Sequence, residues 1–252
     1  MTARRRADVA LVEDGHFESR ARAQDAIAAG LVRVNGKALR KASEPIPPGA
    51  TIEAEKPHPW VSRGGVKLAA ALDRFGIDPD GRACLDIGAS TGGFTQVLLE
   101  RGAARVVAVD VGRGQLHPAL HGHPRLLSLE ETDARALTAE TIGTVPSLVT
   151  FDVSFIGLAA VLPSVLALAA PDATLVALVK PQFEAGREHV KKGIVRDPQM
   201  HAAVCQAAAD AVGALGWTVL GTIPSPIEGG DGNREFLLVA TRGQAQDKGG
   251  AA

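Results

Sequence analysis

The spacing of apolar positions changes character near residue 60. Before it the apolar runs are short: "ADVALVEDG" predicts a helix closed by Gly15, and "RARAQDAIAAG" predicts a second with Ser19 as N-cap and Gly30 as stop. "LVRVNGKALR" then alternates with period two around Asn35-Gly36, a strong hairpin signal, and "PIPPGATIEAE" predicts another strand entered through a Pro-Gly turn. A small α+β unit over residues 1–56 is expected. "EKPHPW" follows, and its prolines fix φ and extend the residues before them, so 57–61 reads as a stiff linker.

Beyond the linker, strand and helix patterns alternate over 62–242. "SRGGVKLAAALDRFG" predicts a helix, and "RACLDIG", "RVVAVDV", "RLLSLE", "SLVTFDVSF", "ATLVALVK", "TVLGTIPS" and "REFLLVATR" predict seven strands. Further helices are expected over 93–101, 157–170 and 198–215. Such alternation predicts an α/β domain with a mostly parallel seven-stranded sheet, covered on both faces and binding its ligand at the strands' carboxyl ends. The last ten residues, "GQAQDKGGAA" (243–252), read as a disordered tail.

Composition narrows the classes. At 252 residues, 46% apolar and 22% charged, the chain matches an ordinary globular protein. Its most apolar stretch, "GLAAVLPSVLALAA", is cut by Pro163 and stopped by Pro171 and Asp172, short of a membrane span. Acids at Asp8, Glu13 and Asp14 interrupt the basic N-terminus before any signal-peptide core forms, which points to a cytoplasmic protein. Cys84 and Cys205 have neither metal-ligand spacing nor a second pair, so neither metal nor disulfide is expected.

The net charge of −1 hides an asymmetry: residues 1–42 hold nine Lys and Arg against five Asp and Glu. Arg20 and Arg22 lie at a predicted helix start and Lys37, Arg40 and Lys41 along the hairpin. With Arg4, Arg6, Ser19 and, past the linker, Arg63, they are candidates for contacting nucleic-acid phosphates. Phe17 is the sole aromatic of this head, which leaves no stacking platform for single-stranded bases.

"LDIGASTGGFTQVLLERG" carries the ligand question. A glycine-rich strand-to-helix turn serves dinucleotides, nucleoside triphosphates and S-adenosylmethionine alike. No Gly-Lys-Ser/Thr ends it, which argues against a P-loop, and Ser90 stands where a dinucleotide fingerprint has its second glycine. Asp86 would repel a pyrophosphate but accept hydrogen bonds, directly or through water, from an ammonium group, so S-adenosylmethionine fits better than NAD. The candidate cofactor contacts are Asp86, Gly88, Ala89, Ser90, Thr91, Gly92, Gly93 and Phe94, with Asp110 and Val111 after the next strand and Asp133 and Ala134 after the third. Asp110 is placed for ribose hydroxyls and Asp133 for an adenine amino group. A turn acid would account for each singly; three at successive strand ends argue for a ligand.

Later strand ends bring Asp152 and Lys180, Glu235 opens the last strand, and Lys67 lies in the helix before the first. The turn Asp152-Val153-Ser154-Phe155 lacks the paired prolines that grip an exocyclic amino group, and no cysteine lies near the fourth or fifth strand to attack a base carbon. A hydroxyl acceptor remains.

Two resemblances follow. Ser19, Arg20, Ala23, Ile27, Gly30, Val32, Val34, Asn35 and Gly36 resemble the S4 RNA-binding domain. Joined to this head, "SRGGVKL", "LDIGASTGGFT", "VVAVDVGRGQL", "FDVSFI", "VKPQFEAG" and "GNREFLL" resemble the haemolysin-A (TlyA) family of ribosomal RNA 2′-O-methyltransferases, whose catalytic half is similar to FtsJ-type enzymes. The resemblance implies a Rossmann-like class I methyltransferase domain and a catalytic Lys67, Asp152, Lys180 and Glu235. It also implies cytidines of 16S and 23S ribosomal RNA as substrate. The linker departs from the family in "HPWV", and Asp133 stands where the family carries Asn. A monomer acting on ribosomal RNA or subunits without metal or membrane is expected. The alternatives are an inactive RNA-binding assembly factor, against which the complete tetrad argues, and a membrane-active haemolysin, for which no spanning or surface-seeking helix is predicted.

Overall fold

The computed structural model describes residues 4–229 and 232–243. The chain divides after Pro59 into two compact units. Nearly all of the predicted tail lies outside the described residues.

In the first unit, β1 (Arg5–Arg6) leads into α1 (Ala7–Glu13) and α2 (Arg20–Ala28), followed by β2 (Val32–Val34), β3 (Lys37–Ala38), β4 (Pro45–Ile46) and β5 (Ile52–Ala54). The order β3-β2-β5 forms a three-stranded sheet, and β1 pairs antiparallel with β4. That pairing involves two residues a side, too short for any period to announce. Ser19 caps α2 by accepting from Arg22 N, and Asn35 and Gly36 close the hairpin with φ of 50° and 74°. Leu11, Phe17, Ile27, Val32 and Ile46 fill the core between helices and sheet.

The second unit contains α3 (Gly64–Phe75), β6 (Ala83–Ile87), α4 (Gly93–Glu100), β7 (Arg105–Val109), β8 (Leu126–Leu129) and α5 (Ala139–Ile142). Then follow β9 (Leu148–Phe151), α6 (Leu162–Leu166), β10 (Thr174–Val179), α7 (Pro181–Glu184), α8 (Pro198–Ala214), β11 (Trp217–Pro224) and β12 (Phe236–Arg242). The helix expected over 157–170 is instead a single 3₁₀ turn at Leu158–Ala160 and the five-residue α6. Pro163 has no N–H to continue the preceding turn and sits in the first turn of α6, where none is needed.

Seven strands pair in the order β11-β12-β10-β9-β6-β7-β8, parallel except for β12, which runs against both neighbours. Every residue of β9 and β10 is buried, as strands covered on both faces must be, whereas the edge strand β11 alternates. One core packs Leu85, Ile87, Val149 and Phe151 under α6 and α8; the other packs Cys84, Val106 and Leu148 under α3 and α4. Strand order reverses between β6 and β9, the point at which an open α/β sheet leaves a crevice. Because β12 is reversed, its start lies beside the end of β10, with Phe236 opposite Val179.

Candidate functional site

The crevice at the reversal holds a cavity of about 420 Å³. Ile87, Val109, Val153, Ile156 and Val161 make its apolar walls, while Gly88, Ser90, Asp110, Thr132 and Asp133 bring polar atoms from the ends of three strands. Asp110 accepts from Ser90 N at 2.8 Å through one carboxylate oxygen and from Gly112 N at 2.7 Å through the other. Each oxygen keeps a second lone pair for a ligand. Apolar walls around one anchored carboxylate are what a nucleoside with free ribose hydroxyls requires, so these residues fit S-adenosylmethionine.

Not every predicted contact lies there. Asp86 is wholly buried within β6, where Thr95 and Thr150 donate hydroxyl hydrogen bonds of 2.7 and 2.8 Å to its two oxygens. Its side chain alternates away from the cavity toward α4, and burial pushes its pKa up to about 6. The expectation that it meets the cofactor's ammonium group is therefore corrected: Asp86 braces α4 and β9 against β6. Ala89, Thr91, Gly92, Gly93 and Phe94 do not line the cavity either. Phe94 lies in the core under α3, and a Cβ on Gly92 or Gly93 would strike Leu120 or Ser62, so these glycines serve packing. Gly88 lines the cavity, but what needs its missing side chain is protein: a Cβ there would sit 2.6 Å from the Asp152 carbonyl oxygen. Its φ of +81° also suits glycine alone.

Val111 and Ala134 line the cavity as expected, Val111 being 74% exposed. Asp133 also lines it, yet caps a 3₁₀ turn and grips Arg135 at 2.6 Å. That guanidinium holds its pKa down to about 2. Gln115 and Thr132 were not anticipated; Gln115 stands in the quoted "VGRGQL" with nothing in its spacing to single it out.

A second cavity of about 500 Å³ shares Asp152, Ser154 and Phe155 with the first. Lys67, Asp152, Lys180 and Glu235 all line it. Lys67, on α3 and only 8% exposed, pairs with the buried Glu235 at 2.5 Å. Lys180, equally buried, lies 2.6 Å from Asp152 Oδ1. That ion pair lacks hydrogen-bond alignment, and Asp152 Oδ1, though buried, accepts no directed hydrogen bond. The directed bond from Lys180 Nζ goes to Ser154 Oγ at 2.8 Å. Phe155, 91% exposed with a left-handed φ of 66°, stands tilted against Phe183 at 5.1 Å. Asn233 accepts from Val195 N and donates to Gly193 O, fixing a loop at the cavity edge. Ser154, Phe155 and Asn233 were missed because polar and aromatic residues in loops carry no period, and Phe183 because the four-residue α7 is too short to show one. Among the described residues no cluster of His, Cys, Asp and Glu suits a metal ion, and no helix is long and apolar enough to cross a membrane.

In the first unit the basic candidates divide. Arg4, Lys37, Arg40 and Lys41 are exposed, and Glu44 holds the backbone of the last two through their N–H groups. Arg6 and Arg20 are exposed as well but bond Asp8, which is covered by its own partners, with Gln24 as a third donor. Those hydrogen bonds, chiefly from Arg6, hold the Asp8 carboxyl well below the usual range. Arg22 is 6% exposed and its guanidinium lies 3.0 Å from His58, so the expected solvent-facing RNA contact is corrected to an internal one. Ser19 is spent on its helix cap. In the second unit Arg63 is exposed just before α3.

Comparison with known proteins agrees with this arrangement. Residues 60–242 match the FtsJ-like methyltransferase family and residues 5–52 the S4 domain. The 16S/23S rRNA (cytidine-2′-O)-methyltransferase TlyA of Mycobacterium tuberculosis is 47% identical over 94% of this chain and 90% of its own. Hemolysin A of Brachyspira hyodysenteriae is 39% identical over 92% and 98%. A solved structure from Streptococcus thermophilus, provisionally named a hemolysin, superposes with a TM-score of 0.76 at 39% identity, covering 97% of this chain and 90% of that one. The chain therefore belongs to the TlyA family of methyltransferases, an S4 domain joined to an FtsJ-like catalytic domain.

Proposed function

We propose that this protein methylates a ribose 2′-hydroxyl of ribosomal RNA, a cytidine of 16S or 23S RNA, using S-adenosylmethionine. The observation that carries the reading is the convergence of Lys67, Asp152, Lys180 and Glu235 on a cavity sharing a wall with the crevice at the strand ends. The relatives' activity supports the choice of RNA and nucleoside.

S-adenosylmethionine supplies a methyl group already activated by its sulfonium centre. A ribose hydroxyl is a weak nucleophile, so the protein has to hold its oxygen in line and stabilise the negative charge that develops as its proton leaves. Lys180, which lines the second cavity and reaches Asp152 in the shared wall, acts on that oxygen; Asp152 orients it. Lys67, fixed by Glu235, holds the acceptor nucleotide from the far side of the cavity. Gly88, Ser90, Asp110, Val111, Asp133 and Ala134 form the cofactor site. Phe155 offers an exposed ring to the acceptor base. Arg4, Lys37, Arg40, Lys41 and Arg63 supply phosphate contacts, with Arg6 and Arg20 contributing the faces that Asp8 leaves open.

The test is transfer of a labelled methyl group to ribosomal subunits, followed by nucleoside analysis. Label on the cytidine ribose is expected, with a loss of roughly 10²- to 10⁴-fold in Lys180→Ala. Label on a base, or substantial activity in Lys180→Ala, would overturn the reading.

A further inference from the structure

We infer that Ser154 is a positioning residue for this reaction, adding a directed hydrogen bond to the Asp152 ion pair so that the Lys180 ammonium is held in alignment with the acceptor oxygen. The inference rests on the 2′-O-methyltransferase reading above.

An ammonium group has three donors on a flexible stem and takes whichever acceptor is best aligned. Beside Lys180 the stronger acceptor is the carboxylate: Asp152 Oδ1 is 2.6 Å away, buried, and without a directed hydrogen bond. That contact is already closed, and by itself it leaves the ammonium free to turn about a single partner. Beside that contact a directed bond runs to the neutral hydroxyl of Ser154 at 2.8 Å. Ser154 lies two residues beyond Asp152, and its side chain lines both cavities, so the direction it imposes on Lys180 points along their shared wall. The methyl donor and acceptor meet at that wall. The serine thus gives the ammonium a second fixed partner, and with two contacts set its remaining donor has one direction in which to point.

Three variants decide the matter in full-length protein with intact ribosomal subunits. Ser154→Ala removes the acceptor, Ser154→Cys keeps the side chain's shape with a weak acceptor, and Ser154→Thr keeps the hydroxyl at an exposed position with room for a methyl group. Single-turnover methyl transfer is expected to slow about 10- to 100-fold in the Ala and Cys variants. The Kd for S-adenosylmethionine and the KM for RNA should stay within about twofold, and Thr should restore most of the rate. A wild-type rate in Ala or Cys overturns the proposal. So does a loss appearing in Kd or KM while the rate constant holds, or a Thr variant as slow as Ala. Lys180→Ala, assayed alongside, separates the two levels. If it is inactive while Ser154→Ala is normal, only the role of Ser154 falls; if it is active, the reading beneath fails.

Discussion

Replacing Asp86 by Asn should make the second unit more stable at neutral pH and flatten its dependence on pH. The carboxyl is fully buried, and its pKa moves from 3.8 to about 6, chiefly through burial; the Thr95 and Thr150 hydroxyls oppose that rise and the charge of Asp152 adds to it. The folded state therefore holds the proton more tightly than the unfolded chain does. Above pH 6 both states are ionised and the folded one bears the full penalty. Between pH 6 and 4 the penalty fades as pH falls, and below 4 it is gone. The difference between 3.8 and about 6, at about 1.4 kcal/mol per pH unit, amounts to about 3 kcal/mol. Going from pH 8 to pH 5 should recover roughly half of it. Asn keeps the shape: its carbonyl accepts from one threonine and its amide donates to the other, whose hydroxyl turns around. Urea unfolding followed by tryptophan emission isolates this unit, since both tryptophans, Trp60 and Trp217, lie within it. The stability difference between variant and wild type should shrink steadily from pH 8 to pH 5. A difference independent of pH, or an Asn variant that is the less stable at pH 8, would refute the assignment of a buried, ionised carboxyl to β6.

Asp110→Ala should weaken S-adenosylmethionine by about 1.5 to 3 kcal/mol in calorimetry, since a charge-assisted ribose contact goes and Ser90 N and Gly112 N lose their acceptor. Gly88→Ala should cost about 1 to 3 kcal/mol in thermal unfolding and slow methyl transfer, because its Cβ displaces the Asp152 backbone; an active, fully stable variant would contradict the contact. Lys37→Glu combined with Lys41→Glu should lower the salt dependence of RNA binding, by a slope of about 0.7 to 0.9 per lost contact, with the first unit still folded. Arg20→Glu is expected to unfold that unit instead, since it sets a carboxylate against the covered Asp8; circular dichroism separates the outcomes.

Legibility in the sequence followed from how local each feature is. The central parallel strands were readable because buried parallel strands are continuous apolar runs, as "ATLVALVK" is, and the hairpin because Asn35-Gly36 tolerates positive φ. The loop after β6 misled for the same reason that it attracted notice: glycine marks a close approach, and at Gly88, Gly92 and Gly93 what approaches is the protein's own chain. Asp86 misled by position, since a pleated strand aims its penultimate residue at one face and its end at the crevice. Arg22 looked like its neighbours in composition, but one helical face is buried and Arg22 lies on it. Pairings between distant segments, such as Lys67 with Glu235, depend on the register of β12 against β10, which no local pattern encodes.

The reversed β12 also sets an order of events during synthesis. Every side chain lining the strand-end crevice comes from residues 87 to 161, whereas the tetrad spans Lys67 to Glu235. A ribosome making this chain has therefore released the whole cofactor wall long before the last acid emerges, and until then Lys67 has no Glu235 to pair with. On the roles proposed for the tetrad, methyl transfer is withheld from the nascent protein by its own topology: the site is assembled only once the final hairpin has left the ribosome.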